Sequence, residues 1–206
     1  TLLTLPEGAP FPTTKEDVLR RFVAVHEEDN QRAETLSQVT HGLHQRFLED
    51  LAATATDAAN TTIAEAVARK SISETDDALV AEGQITDKPQ PNAVLEALVS
   101  HHVLMRAGDP ASYSFQHQQF QEWYASHIVE RLMLASVVDD APREKLKADV
   151  LNMPAWEEAI LFACERLARG DQKQQEACSA AILAAFAVDP ILAAEMICRS
   201  TDAVWG

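Results

Sequence analysis

The sequence predicts a mainly helical chain interrupted by one short β-hairpin. Three observations predict it. Apolar residues recur at intervals of three and four along most of the length. Only 6 Gly occur among 206 residues, with Ala, Leu, Glu and Gln frequent, a balance that favours helix over sheet. The helical period breaks at Gly108-Asp109-Pro110, where short apolar and aromatic runs flank a turn signal. Apolar residues make up 47% of the chain, enough for the core of one substantial domain or two small ones.

Residues 1–13 read as the tail of an apolar segment, Thr1-Leu2-Leu3-Thr4-Leu5, followed by a proline-rich loop. Thr14 then starts a helix: its hydroxyl can cap a backbone N–H, and Glu16 and Asp17 suit the positive helix end. Val18, Leu19, Phe22, Val23 and His26 share one face of that helix. A second helix is expected over about 32–54, where Leu36, Val39, Leu43, Phe47 and Leu51 form one stripe. Two shorter helices are expected near 58–69 and 74–82. Glu74, Asp76, Asp77, Glu82 and Asp87 read as a solvated acidic face, because no residue set closes a coordination shell.

Asn92 is placed to cap the next helix, carrying Val94, Leu95, Leu98, Val99 and His102. The hairpin follows, Val103–Arg106 against Ser112–Phe115. One of His101 and His102 is expected to pack against it. A long helix is expected over about 117–138. After the break at Asp139-Asp140-Ala141-Pro142 the chain reads as helical to its end. Pro154 starts one helix that Gly170 ends, residues 174–187 form a second, and Pro190 opens a third. Helices of this length with short turns suggest a stacked antiparallel array.

Helices followed by a hairpin are the element order of a winged helix. The expected architecture is therefore mainly α: a helical domain over 1–56, a winged-helix unit with one short hairpin over 57–138, and helical-repeat-like antiparallel helices over 139–206.

Charge and motifs narrow the function. The net charge of −15 repels phosphate backbones and anionic membrane surfaces. The helix before the hairpin carries only Glu96 as a charged residue between Pro91 and His102, so it offers no cation to a phosphate or a guanine edge. Neither nucleic acid nor membrane is an expected partner. Phosphate-loop, GxGxxG, GxSxG and HExxH patterns do not occur, so no catalytic site and no metal site is expected. His41 and His44 lack a third ligand in register. Cys164, Cys178 and Cys198 are widely spaced in apolar helical stretches; each is expected to behave as a small hydrophobe in a reducing compartment. The chain starts on Thr1 and stops at Gly206 without a clear cap, and both ends are expected to continue in a longer parent.

The most informative stretch is Phe115-Gln116-His117-Gln118-Gln119-Phe120-Gln121-Glu122-Trp123-Tyr124-Ala125-Ser126. A strand turns directly into a helix, with His117 in its first turn. Free N–H groups and the dipole favour an anion there, and a hydrogen bond from an imidazole to a phosphate contributes about 1.5–3 kcal/mol. The alternative is that His117 merely caps the helix, with Phe115, Phe120 and Tyr124 as core.

The pattern Phe115-x-His117-x-x-Phe120-x-Glu122-Trp123-Tyr124-Ala125 resembles the winged-helix motif of the STAND signalling ATPases, their NACHT branch in particular. The hairpin before it fits that family, as does Leu5-Pro6…Pro12-Thr13-Thr14-Lys15-Glu16-Asp17-Val18-Leu19, which resembles the entry to the family's helical domain. The resemblance covers about residues 1–135, and residues 140–206 resemble the start of a helical-repeat sensor region. It implies a cytoplasmic regulatory module, not catalytic by itself. An upstream nucleotide-binding module of the same chain would hold ADP or ATP with magnesium, and His117 would contact the ADP phosphate. A ligand or protein partner would act on the C-terminal helices, and the parent would oligomerise on activation. The competing expectation is a helical interaction scaffold with no nucleotide role, binding a partner in an apolar groove of residues 155–206.

Overall fold

A computed structural model describes residues 11–27, 30–101, 103–108 and 111–204, with side chains outside 25–32. The expectations for residues 1–10, for the His26 side chain and for His102 lie outside the described residues. Among the described residues the chain is mainly helical, with one small antiparallel sheet and no helix long and apolar enough to cross a membrane.

Helix α1 (Lys15–Glu27) opens as expected: the Asp17 N–H donates to Thr14 Oγ1 at 3.1 Å. Leu19 is buried and Phe22 and Val23 pack against the core, but Val18 points outward. The single helix expected over 32–54 is two, α2 (Asn30–Val39) and α3 (His44–Asp57). His41 (φ 52°) and Gly42 (φ 77°) are both left-handed, and the Gly42 N–H donates back to Ser37 O at 2.8 Å. That bond satisfies an orphan carbonyl and stops the helix, although the apolar stripe continues through the turn. Leu36, Phe47 and Leu51 remain buried from both halves.

The helices expected at 58–69 and 74–82 are replaced by strand β1 (Thr62–Ala64) and one continuous helix, α4 (Glu65–Ala81). Polar residues at the junction of the two expected helices form a seam with α3: Ser71 Oγ lies 3.2 Å from Thr54 Oγ1, and Thr75 Oγ1 donates to Asp50 Oδ2 at 2.8 Å. Asp76, expected on the solvated face, is buried. Helix α5 (Pro91–Ser100) starts one residue before Asn92; Pro91 is its first residue and no side chain caps it.

The hairpin is present as β2 (Leu104–Ala107) and β3 (Ser112–Phe115), with Leu104 opposite Phe115 and Arg106 opposite Tyr113. β1 pairs on the other side of β3, Ile63 opposite Tyr113, so the sheet order is β1-β3-β2. Leu104, Ile63, Tyr113 and Phe115 are buried.

Helix α6 (Gln118–Ser136) runs from the sheet into the helical array, packing against α3 and against the later helix over Glu157–Leu167. Beyond it, Asp139 caps α7 (Asp140–Lys145), which passes into a π-helical turn, Leu146–Leu151. A 3-10 turn at Pro154–Trp156 leads into α8 (Glu157–Leu167). Helix α9 (Gln172–Val188) opens with a reciprocal cap between Asp171 and Gln174, and Asp189 caps α10 (Pro190–Arg199). One apolar core runs from Leu19 to Val204 through all three segments expected from the sequence.

Candidate functional site

His117 is the N-cap of α6, one position before the first helical turn in which the sequence placed it. Its backbone is extended (φ −138°, ψ 142°). The imidazole is exposed and makes no capping hydrogen bond. Its ring sits 5.8 Å from Phe120, tilted by 37°.

The position is fixed from both sides. Upstream, the Gln116 N–H donates to Val103 O at 3.1 Å, extending the sheet as far as the junction. Downstream, Gln121 Nε2 donates to Thr56 Oγ1 at 3.3 Å and to Asn60 O at 3.0 Å, tying the first turn of α6 to the end of α3. Phe115, Phe120, Trp123 and Tyr124 are buried. Their rings pack in sequence, Phe115 on Tyr124 at 5.9 Å and Trp123 edge-on to Tyr124 at 5.0 Å. No acidic residue lies in the first turn of α6, but the Glu122 carboxyl one turn on accepts from Gln118 Nε2 at 2.8 Å. Burial raises the nearby Glu122 carboxyl, against a hydrogen bond from Gln118.

Behind Phe120 lies an apolar cavity of about 20 Å³ lined by Phe22, Leu36, Leu48 and Tyr124. It has room for about one water.

Arg106, on the hairpin, pairs with Glu96 Oε1 at 2.5 Å and donates to Tyr113 Oη at 2.9 Å. His41 stands in the α2–α3 turn and His44 opens α3, so the two do not share a helical face. Among the described residues, no group of three or more His, Cys, Asp or Glu is placed to hold a metal ion. His101 is buried beside the hairpin. Cys164 and Cys178 are buried, whereas Cys198 is exposed rather than apolar core.

Sequence reasoning missed a part-buried ionic cluster farther along α6. Arg166 of α8 reaches Glu130 Oε2 at 2.5 Å, Glu16 Oε1 at 3.2 Å and Ser126 Oγ at 2.9 Å. Arg199 pairs with Glu165 at 2.6 Å, and Glu165 also accepts the Glu16 N–H at 3.3 Å. Helices α1, α6, α8 and α10 are thus joined by charge. His127, packed edge-on against Trp123 at 4.6 Å, stands next to this cluster. Burial, and then the charges of Arg166 and Arg131, push its imidazole down to about 3; it is neutral at physiological pH. The only signal in the sequence is the pair Glu165-Arg166 inside an apolar helix, which must find partners when buried.

Comparison with protein-family models, with curated proteins and with solved structures found no match.

Proposed function

We propose that this chain is the regulatory part of a NACHT-like STAND ATPase, in which His117 reads the phosphate of a nucleotide held by an upstream module of the same polypeptide. The observation that carries the reading is His117 itself: an exposed imidazole at the N-cap of a 19-residue helix, unused by the cap and fixed by the sheet before it and by Gln121 after it. A donor held there, beside the positive end of the helix, suits a phosphate oxygen. The order α3-β1-α4-α5-β2-β3 with sheet order β1-β3-β2 supports a winged-helix unit, and α8 to α10 support an array of repeat-like helices behind it.

In this reading ADP bound upstream, with its magnesium, holds the winged helix closed through His117, and exchange for ATP releases it and lets the parent oligomerise. The chain itself is regulatory, not catalytic, and cytoplasmic. The test is made on the parent protein carrying the upstream module. It is purified with and without His117→Ala, denatured, and the released nucleotide is quantified. The reading expects ADP in the parent and loss of most of it in the variant. Equal retention, or no nucleotide in either, refutes it.

One further observation bears on the C-terminal helices. Leu183, Phe186 and Ile191 of α9 and α10 are 68%, 65% and 74% exposed, apolar surface that a protein partner would cover. A protein partner on the C-terminal helices suits both readings. Only the first makes His117 matter.

A further inference from the structure

Cys164 and Cys178 do not merely fill space. Cys164 lies on α8 and Cys178 on α9, both fully buried, and their sulfurs are 3.2 Å apart. That is inside ordinary van der Waals contact. A disulfide holds its sulfurs at about 2.05 Å, so closure needs a movement of about 1 Å. Cys164 Sγ also lies 3.3 Å from Met196 O of α10, and Cys178 Sγ lies 3.8 Å from Cys164 O. The sulfurs therefore meet where three helices converge.

We propose that Cys164 and Cys178 form a reversible dithiol–disulfide site that a small peroxide oxidises, cross-linking α8 to α9. The proposal is independent of any nucleotide role. The two sulfurs share one hydrogen bond in which either can donate, so either thiol can react first, with the same chemistry. With Cys178 as the nucleophile, its thiolate attacks one peroxide oxygen. The O–O bond breaks, a Cys178 sulfenic acid forms, and the departing hydroxide takes up a proton as water. The Cys164 sulfur then attacks the Cys178 sulfur. The S–S bond forms, the S–O bond breaks, and the departing hydroxide leaves with the Cys164 proton as a second water. Two thiols lose two electrons and one hydrogen peroxide becomes two waters. A dithiol reductant reverses the cross-link by exchange.

Both sulfurs are fully buried, so oxidant and reductant alike reach them only when the helices open locally; peroxide is the oxidant class because the smallest molecule needs the smallest opening. The bond closes a loop of 14 residues in sequence separation. A loop of about this length stabilises by an amount equivalent to a rise in melting temperature of roughly 6–12 °C in a chain of this size.

The test uses the full chain carrying Cys198→Ser, so that only the pair can react. The folded protein is treated with hydrogen peroxide, quenched, and its thiols are counted in denaturant. We expect both thiols to disappear and the mass to fall by about 2 Da, the two hydrogens lost in forming the bond. Tryptic peptides 148–166 and 174–199 should become linked. The melting temperature should rise by the amount above and return with dithiothreitol. Two thiols still titratable in denaturant, or oxygen added to either cysteine without linkage of the peptides, overturns the site. A linked protein that melts no higher overturns the lock.

Discussion

Replacing Arg166 with Met should be among the most damaging single changes outside the apolar core. Its guanidinium holds two carboxylates, Glu16 at 3.2 Å and Glu130 at 2.5 Å, and one hydroxyl, Ser126 at 2.9 Å. Glu16 and Glu130 have side chains only 8% and 16% exposed, and Met fills the volume without supplying charge. Breaking a buried ion pair by removing one partner costs about 3–5 kcal/mol. The Arg166 side chain is itself 16% exposed, so the loss belongs near the lower end, about 3 kcal/mol. The loss also depends on pH. In the unaltered chain Arg166 helps keep His127 neutral down to about 3. Without it, His127, whose Nδ1 lies 3.9 Å from Glu130, takes up a proton at higher pH and partly replaces the lost cation. The stability deficit should therefore be largest at pH 8 and shrink toward pH 5. Urea unfolding followed by tryptophan fluorescence and far-ultraviolet circular dichroism measures both, with the slope against urea unchanged. Adding Glu130→Gln should recover at least about 1 kcal/mol by removing one uncompensated charge. A deficit below about 1 kcal/mol at pH 8, or one that stays constant between pH 8 and pH 5, refutes the reasoning.

His127 also shapes the pH response of the unaltered chain. Its folded value lies far below its unfolded one, so its contribution is complete above about pH 6.5 and declines toward pH 3 by up to about 1.4 kcal/mol per pH unit; His127→Leu should show a shallower decline in acid by urea titration, and an identical slope would argue against it. Asp76 works in the opposite sense. Burial raises its carboxyl to about 6, and Oδ1 has no hydrogen-bond partner among the described residues. Its contribution is complete below about pH 3.8 and lost as pH rises through 6, so Asp76→Asn should gain about 1 kcal/mol more at pH 8 than at pH 5, and an equal effect at both pH values would contradict the assignment. Ala59 ends α3 in the left-handed region at φ 49°, with the Asn60 N–H returning to Ala55 O at 3.0 Å. Ala59→Gly should stabilise by roughly 0.5–1 kcal/mol, the relief of the Cβ clash less the entropy gained by the unfolded chain; thermal unfolding reads it, and a fall in melting temperature would refute it.

What was legible in the sequence is what local chemistry decides. Thr14 announced its helix through a side chain that reaches only three residues ahead, and Gly108-Asp109-Pro110 announced a hairpin between strands eight positions apart. The sheet was half-read, because β1 is three residues long and finds its partner some fifty residues later; Thr62, Ile63 and Ala64 carry too short an alternation to be told from a helix start. The break between α2 and α3 was hidden by the apolar stripe, which the fold uses on both sides of His41 and Gly42. The two histidines of α6 mark the boundary most sharply. His117 could be picked out because its chemistry rests on where it stands, at the junction of strand and helix, and neighbours in sequence determine that. His127, ten residues on, is governed by Trp123 on its own helix and by Arg166 of α8, which lies 39 positions away. Nothing next to it in the chain distinguishes it from a surface histidine. A group whose protonation is set by residues from another helix becomes visible only when the core is assembled, and the same holds for the two sulfurs of α8 and α9.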